Sequence, residues 1–333
     1  MKRSHILTRR ALLKGIVATA ASLSLPARGH AQDPAPEARL IMVAPQNTDA
    51  VEAVNNPQAV ALPSAQFLHR AHAASISNYW TRINHVITDS NPYGVVLATP
   101  NWNPAGSRGT YDNHNIGVWY DGTQWAIFNQ DSVAMPPEAS FNILIPRSVM
   151  SYYYAWRTTS ANIVSNWTYI DDAIINDDPN AIVFATPNWN ANNGSGVYND
   201  HPIGVWYSNA TKKWAVFNQD LAAMPVNASF NLMIPKAGEN VAFVHVANSA
   251  NISAHWTTID HPRLNNRPNA MLIVTPNWNP GGVGGTSNNH PTGVRYTGSR
   301  WAIFNQDHAA MPADAAFNVL LADNRALMPM MQR

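Results

Sequence analysis

A pattern of tryptophans occurs three times along this chain, and this repetition limits what the chain can fold into. Trp102, Trp189 and Trp278 each follow an earlier tryptophan by 22 residues and precede a histidine by 12 residues. A regular period of this length is typical of tandem structural repeats. We therefore expect three copies of one unit, at about 64–150, 151–238 and 239–326.

Variation in length is confined to one place in each copy. The interval from this histidine to the next tryptophan is 11, 13 and 11 residues, and the two extra residues lie in SNATKK at 208–213. Loop tips tolerate insertions because their backbone is solvated. The constant lengths elsewhere indicate that the other connections are packed or hydrogen-bonded.

Within a copy, the residue pattern is that of short strands. The stretch 117–128 reads GVWY, DGTQ, WAIF, which predicts a hairpin around an Asp-Gly turn. Apolar runs at 93–99 and 140–146 and the segment 67–73 add further strands, while SISNYWTRI at 75–83 fits one helical turn. The sequence predicts an all-β fold of three tandem β-sandwich or barrel-like repeats of about 88 residues. The spacing leaves open whether the copies lie in a row or close around an axis.

The chain begins with features of an export signal. Arg9 and Arg10 precede an apolar run from Ala11 to Leu25, and the small residues Gly29 and Ala31 follow. This pattern resembles a twin-arginine signal peptide over 1–31, so we expect an exported protein, periplasmic or secreted, from a bacterium. The segment 32–63 then reads as a linker with one extra strand, and 327–333 as a tail.

Composition excludes several classes of function. Removal of 1–31 would leave 15 basic and 20 acidic residues, a net charge of about −5, so a basic nucleic-acid footprint is absent. The chain has no cysteine, which excludes disulfides, thiolate metal sites and cysteine nucleophiles. No segment after the signal reaches the roughly 20 apolar residues of a membrane helix.

The repeated motifs also resemble a known family. The run TPNWNPGGVGGTSNNHPTGVRYTGSRWAIFNQDHAAMPADAAFNVL at 275–320 is similar to a repeated bacterial domain of unknown function found in exported proteins. The resemblance covers nearly the whole chain from about residue 64. It implies the domain and its repetition, and it implies no activity. The glycine-rich loop differs between the copies, being NPAGSRGTYDN and NANNGSGVYND in the first two.

The Asn-Gln-Asp triplet that ends each WAIF-type strand is one candidate site. Both faces of the strand carry apolar residues, which predicts an interior strand, with the triplet where the chain leaves the sheet. Asn and Asp at such a place commonly shape a turn. The alternative is hydrogen bonding to a sugar or ligation of Ca²⁺; apart from this possible Ca²⁺, we expect no cofactor. The triplets are Asn129, Gln130, Asp131; Asn218, Gln219, Asp220; and Asn305, Gln306, Asp307.

A tryptophan between two asparagines, with the histidine that follows, is the second candidate. The ring could stack on a sugar while the amides hydrogen-bond at its sides; the alternative is a core ring flanked by turn formers. A metal site at the histidines would need the three copies to converge, which only a closed threefold arrangement allows. The residues are Asn101, Trp102, Asn103, His114; Asn188, Trp189, Asn190, His201; and Asn277, Trp278, Asn279, His290.

Trp119 and Trp206 form the third candidate because their equivalent in the last copy is Arg295. A fully buried tryptophan rarely gives way to arginine, so this position is expected to be exposed. Both side chains can stack on a flat ligand or on another protein.

No known catalytic motif is evident. The sequence lacks a G-x-S-x-G elbow, an H-E-x-x-H helix and a phosphate-binding loop in the right context, and the acidic pairs of the second copy do not recur in the others. We therefore expect an exported, non-catalytic, multivalent protein that binds a glycan or another cell-surface component. The alternatives are a structural or adhesive envelope protein, and a periplasmic enzyme that carries a cofactor.

Overall fold

A computed structural model describes residues 65–146, 151–236 and 241–321. The expected signal peptide, the linker with its extra strand and the C-terminal tail lie outside these residues. No helix of the described part is long and apolar enough to cross a membrane.

The described residues form strands joined by turns and loops, and the only helical segments among them are short 3₁₀ turns. The strands of the first copy are β1 (Ala65–Arg70), β2 (Ile76–Ser77), β3 (Trp80–Ile83), β4 (Leu97–Pro100), β5 (Ile116–Tyr120), β6 (Trp125–Asn129) and β7 (Ser140–Ile145). Those of the second are β8 (Ser151–Arg157), β9 (Ile163–Val164), β10 (Trp167–Ile170), β11 (Phe184–Pro187), β12 (Ile203–Ser208), β13 (Lys213–Asn218) and β14 (Ser229–Pro235). Those of the third are β15 (Val241–Val246), β16 (Ile252–Ser253), β17 (Trp256–Thr258), β18 (Leu272–Pro276), β19 (Thr292–Tyr296), β20 (Trp301–Asn305) and β21 (Ala316–Leu321). The 3₁₀ turns are Pro104–Gly106, Ala191–Asn193 and Pro280–Gly282.

Each copy is a small antiparallel β-sandwich. In the first copy, a three-stranded sheet of order β1-β7-β4 faces a four-stranded sheet of order β2-β3-β6-β5. The core lies between the sheets: Trp125 and Ile127 of β6 pack in one cluster with Phe141 and Ile143 of β7. The all-β prediction is therefore confirmed as a sandwich, and the described strands form no closed barrel.

The central strand of each copy is an interior strand, as its residues predict, whereas the segment 75–83 differs from its prediction. All of β6 is buried, and it pairs with β3 on one side and β5 on the other. The helical turn expected over 75–83 is wrong, because β2 and β3 form a tight hairpin there, with Ser77 opposite Trp80. Asn78 makes the turn with φ of 55°, a left-handed conformation that asparagine adopts more readily than most residues.

The three copies close into a ring. Trp189 in the second copy donates its backbone N–H to the carbonyl of Val118 in the first, at 2.8 Å. The same bond joins Trp278 to Val205, at 2.9 Å, and Trp102 of the first copy to Val294 of the third, also at 2.9 Å. The third contact closes the circle, so the arrangement has pseudo-threefold symmetry.

The ring has its own hydrophobic core on the axis. Each copy contributes two buried side chains to one cluster: Leu97 and Leu144, Phe184 and Met233, Ile273 and Leu320. Around this core, Asn142, Asn231 and Asn318 each donate a side-chain N–H to a carbonyl of a neighbouring copy, at 2.9 to 3.0 Å. Since these asparagines are fully buried, the bonds also remove a desolvation cost. The three copies are therefore packed into one unit and are not separate domains joined by linkers.

Candidate functional site

A pocket lies where residues of all three copies meet, next to the axial strands. Its volume is about 600 Å³ when the open mouth is included. The lining residues are equivalent in the three copies for the most part: Thr99, Pro100, His114, Asn115 and Ile116; Thr186, Pro187, His201, Pro202 and Ile203; Val274, Pro276, His290, Pro291 and Thr292; and the alanines 98 and 185. We call this the axial pocket. It is a single site to which each copy contributes one third.

The three histidines of the axial pocket are held in the same way. His114 Nδ1 lies 2.6 Å from Asp131 Oδ2, and the pairs His201–Asp220 and His290–Asp307 lie at 2.5 and 2.6 Å. An ionised carboxylate only accepts hydrogen bonds, so Nδ1 carries the proton and Nε2 is the ring nitrogen left for another partner. The histidine side chains are 21 to 29% exposed, enough to contact a ligand while remaining fixed.

The Asn-Gln-Asp triplet has three separate roles. Asn129 is buried and donates to the carbonyl of Val133, which closes the turn after the strand. Gln130 accepts the backbone N–H of Asn199 in the next copy, at 3.0 Å. Asp131 accepts the N–H of Val133 with one oxygen and holds His114 with the other. Turn formation thus explains only part of the triplet, because the Gln joins copies and the Asp orients a pocket histidine.

The other two copies repeat these contacts. Gln219 accepts the N–H of Asn288 at 2.9 Å, and Gln306 accepts that of Asp112 at 3.3 Å, so the glutamines also close the ring. Asn218 and Asn305 donate to carbonyls four residues ahead.

Convergence of the histidines does not by itself form a metal centre. Within the described residues, no group of three or more His, Cys, Asp or Glu side chains is arranged to hold a metal ion. The aspartates of the triplets, which the sequence offers as ligands for Ca²⁺, are instead engaged with a histidine and a backbone N–H.

The asparagines beside the second tryptophan serve the ring. Asn103 donates to the carbonyl of Tyr296 at 2.8 Å and accepts its N–H at 2.7 Å, which fixes the first copy to the third. Asn190 and Asn279 make the same two bonds to Tyr120 and Tyr207. Asn101, Asn188 and Asn277 are buried and donate to the axial Asn142, Asn231 and Asn318 at 2.8 to 2.9 Å. These amides are therefore committed to the fold and do not flank an open sugar platform.

The tryptophans between these asparagines are also covered. Trp102, Trp189 and Trp278 are half-buried. A glycine of the following loop lies against each ring, and a Cβ on Gly109, Gly196 or Gly285 would overlap it. The loops differ in sequence but keep this glycine, which explains why the varying loop still packs.

Trp119, Trp206 and Arg295 lie between copies, and the expectation that this position is exposed is wrong. Each is half-buried. Trp119 is wedged between Trp80 of its own copy and Trp189 of the next, with ring centroids 5.3 and 5.9 Å away. Arg295 occupies the same place between Trp256 and Trp102, at 4.7 and 4.8 Å from the ring centroids. Cation–π contact with two rings allows arginine to replace tryptophan at a half-buried position.

Sequence reasoning missed several residues of the site. Thr99 and Thr186 line the axial pocket, and Asp112 lies buried behind His114. One signal for the His–Asp pairs was available: His and Asp are 17, 19 and 17 residues apart, and the difference equals the insertion at the hairpin tip.

Comparison with known proteins gives a family and no activity. A model described as "Domain of unknown function (DUF7452)" matches residues 46–145, 125–234 and 204–321. Successive matches overlap, so the second and third matches each begin in the hairpin of the preceding copy. Searches of curated proteins and of solved structures found no match. Because the three matches together span most of the chain, the protein belongs to the DUF7452 family and contains that domain in three copies.

Proposed function

We propose that the protein is exported and acts as a non-catalytic binding protein, and that its ligand is a glycan whose terminal sugar enters the axial pocket. Export rests on the arginine pair and apolar run at 9–25. The observation that carries the binding site is the set of three equivalent His–Asp pairs around one pocket.

The charges at the pocket favour a neutral ligand. Three carboxylates lie directly behind the imidazoles, so an anion would meet their repulsion. The described residues provide no group for a metal ion. A hydroxyl both donates and accepts, so it can bond to imidazole Nε2 whether the ring is neutral or protonated.

Shape and polarity favour a sugar among neutral ligands. A pyranose presents hydroxyls around its ring, which suits polar partners distributed around an axis. Prolines and isoleucines supply the apolar surface that C–H faces can contact. This proposal has one site per chain, whereas the repeated tryptophans led us to expect three.

Replacement of His114, His201 and His290 by alanine is expected to abolish glycan binding without unfolding the protein. The three rings are partly exposed, so their removal costs little packing while it removes the three Nε2 atoms. Binding would first be sought on a glycan and polysaccharide array, and the hit measured by calorimetry, with an expected stoichiometry of one per chain and a loss of affinity of at least tenfold.

The matched control is His72→Ala. His72 also pairs with a carboxylate, that of Glu138 at 3.0 Å, but its side chain is more exposed, at 63%, and it does not line the axial pocket. The His72→Ala variant should leave glycan binding unchanged. Three ligands per chain, or full affinity in the triple variant, would contradict the proposal. A blank array would favour a structural role based on protein contacts.

A further inference from the structure

A second cavity lies between the first and second copies. It is lined by Tyr79, Trp119, Phe128, Trp189 and Tyr198, and it measures about 250 Å³ including its mouth. All five side chains are aromatic. We call it the aromatic cage. It is separate from the axial pocket, with which it shares no residue.

We call the interface between the second and third copies the second interface, and the interface between the third and first copies the third interface. The third interface shows what the place equivalent to the cage can accommodate. There His308 packs against Tyr111, with ring centroids 4.8 Å apart, and against His255, at 4.7 Å. Tyr111 corresponds to Tyr198, and His255 to Tyr79. The residue that corresponds to His308 is Ser132, which is too small to fill the cage. The cage is therefore open because one ring is absent from a position that holds a ring in the third copy.

The aromatic faces that line the cage indicate the charge of its occupant. At the third interface, the guanidinium of Arg295, which takes the place of the cage-wall residue Trp119, lies over two tryptophan rings. One of them, Trp102, corresponds to Trp189 of the cage, so the equivalent ring already holds a cation elsewhere in this protein. Aromatic faces carry negative electrostatic potential, so several of them around one space attract a cation. The acidic balance of the chain after its predicted signal acts in the same direction.

The cage disfavours a cation that carries N–H groups. Its polar atoms are few, and the hydroxyls of Tyr79 and Tyr198 are already bonded to each other at 3.1 Å. An ammonium or guanidinium group would lose hydrogen bonds to water without regaining them. A quaternary ammonium has no N–H to satisfy. We propose that the aromatic cage binds the trimethylammonium head of a small molecule.

The test uses choline and its uncharged isostere 3,3-dimethyl-1-butanol with the full-length protein. Binding would be followed by NMR through the indole N–H signals of Trp119 and Trp189, assigned with single Trp→Phe variants. Choline should shift both signals in a saturable way, and the isostere should bind at least about fivefold more weakly. Absence of saturable shifts with choline, or equal binding of the two compounds, would overturn the proposal.

Ser132→His should close the cage. The variant copies the third interface, and its backbone suits the change because Ser132 and His308 have φ of 62° and 65°. It is expected to weaken choline binding at least tenfold. The matched control is Leu221→His, at the equivalent position of the second interface, where φ is also 65° and the cage residues Tyr79 and Tyr198 are replaced by Asn166 and Ser287.

Leu221→His should leave choline binding unchanged. Unaltered binding in Ser132→His, or an equal loss in both variants, would contradict the assignment. Tyr198→Ser serves as a second variant if Ser132→His does not fold. It replaces a ring of the cage wall by serine, the residue that the third copy has at the equivalent position, 287, and it should also weaken choline binding at least tenfold.

Discussion

Replacement of Asp112 by asparagine is expected to stabilise the protein at pH 7 by up to about 3 kcal/mol. Asp112 is 2% exposed, and burial raises the pKa of its carboxyl to about 6, against the opposing effects of His114 and Asn129. The folded protein therefore binds this proton more tightly than the unfolded chain does. The stabilising contribution is full below the ordinary pKa of 3.8 and is lost as the pH rises through 6.

The hydrogen bonds around Asp112 support this expectation. Asn129 donates its side-chain N–H to one carboxylate oxygen at 3.1 Å, while the other carboxylate oxygen and the side-chain Oδ1 of Asn129 have no partner. In the second copy, Asn199 and Asn218 instead exchange two bonds, at 2.8 and 3.1 Å. A proton or an amide at position 112 supplies the missing donor.

Chemical denaturation of the wild type and of Asp112→Asn between pH 4 and 7.5 measures the expected gain in stability. The difference in free energy of unfolding should be near zero at pH 4, should grow through pH 6 and then level off. Asn199→Asp is the reverse control and should destabilise the protein at pH 7. A difference that does not depend on pH would show that the carboxyl charge is not the cause.

The second large effect is a loss of stability in acid that is caused by His69 and His245. Burial lowers the pKa of each to about 4, with His72 adding to the effect on His69. Each ring binds a threonine hydroxyl through Nε2, His69 to Thr81 at 2.9 Å and His245 to Thr257 at 2.8 Å. Because the folded pKa lies below the ordinary 6.5, the contribution is full above that pH and is lost as the pH falls towards 4.

The second copy provides a substitute that does not titrate. Trp156 occupies this position and donates its indole N–H to Thr168 at 3.1 Å. His69→Trp with His245→Trp should therefore retain more stability at low pH, relative to pH 7, by up to about 3 kcal/mol for each site. Denaturant titrations at pH 4.5 and 7 measure this. Trp156→His should steepen the acid loss, and equal pH dependence in all variants would refute the assignment.

The fold was predictable to the level of one copy. The tryptophan spacing revealed the copies, and apolar residues on both faces of WAIFN predicted the interior strand that β6 is. The hairpin at 76–83 was missed because its turn depends on one residue with a left-handed backbone, and this residue is Asn78, Ser165 or Ala254 in the three copies, which leaves little trace in residue type.

The relation between the copies was not predictable in this way. Asn103 looks like a turn residue in the sequence, and only its two bonds to Tyr296, 193 residues away, reveal that it closes the ring. Arg295 suggested an exposed position because the sequence does not show that its guanidinium stacks between tryptophans of two different copies. The axial pocket escaped for the same reason, since each copy supplies only a third of it.

The measurement that tests the closed ring most directly is a set of three distances between spin labels. The chain has no native cysteine, so pairs of cysteines at Thr123, Thr211 and Ser299, which are exposed at the three equivalent hairpin tips, can be labelled without interference. Pulsed electron–electron double resonance on the three labelled pairs should give three nearly equal distances. A distance between 123 and 299 close to the sum of the other two would mean that the copies lie in a row, and the axial pocket would not exist.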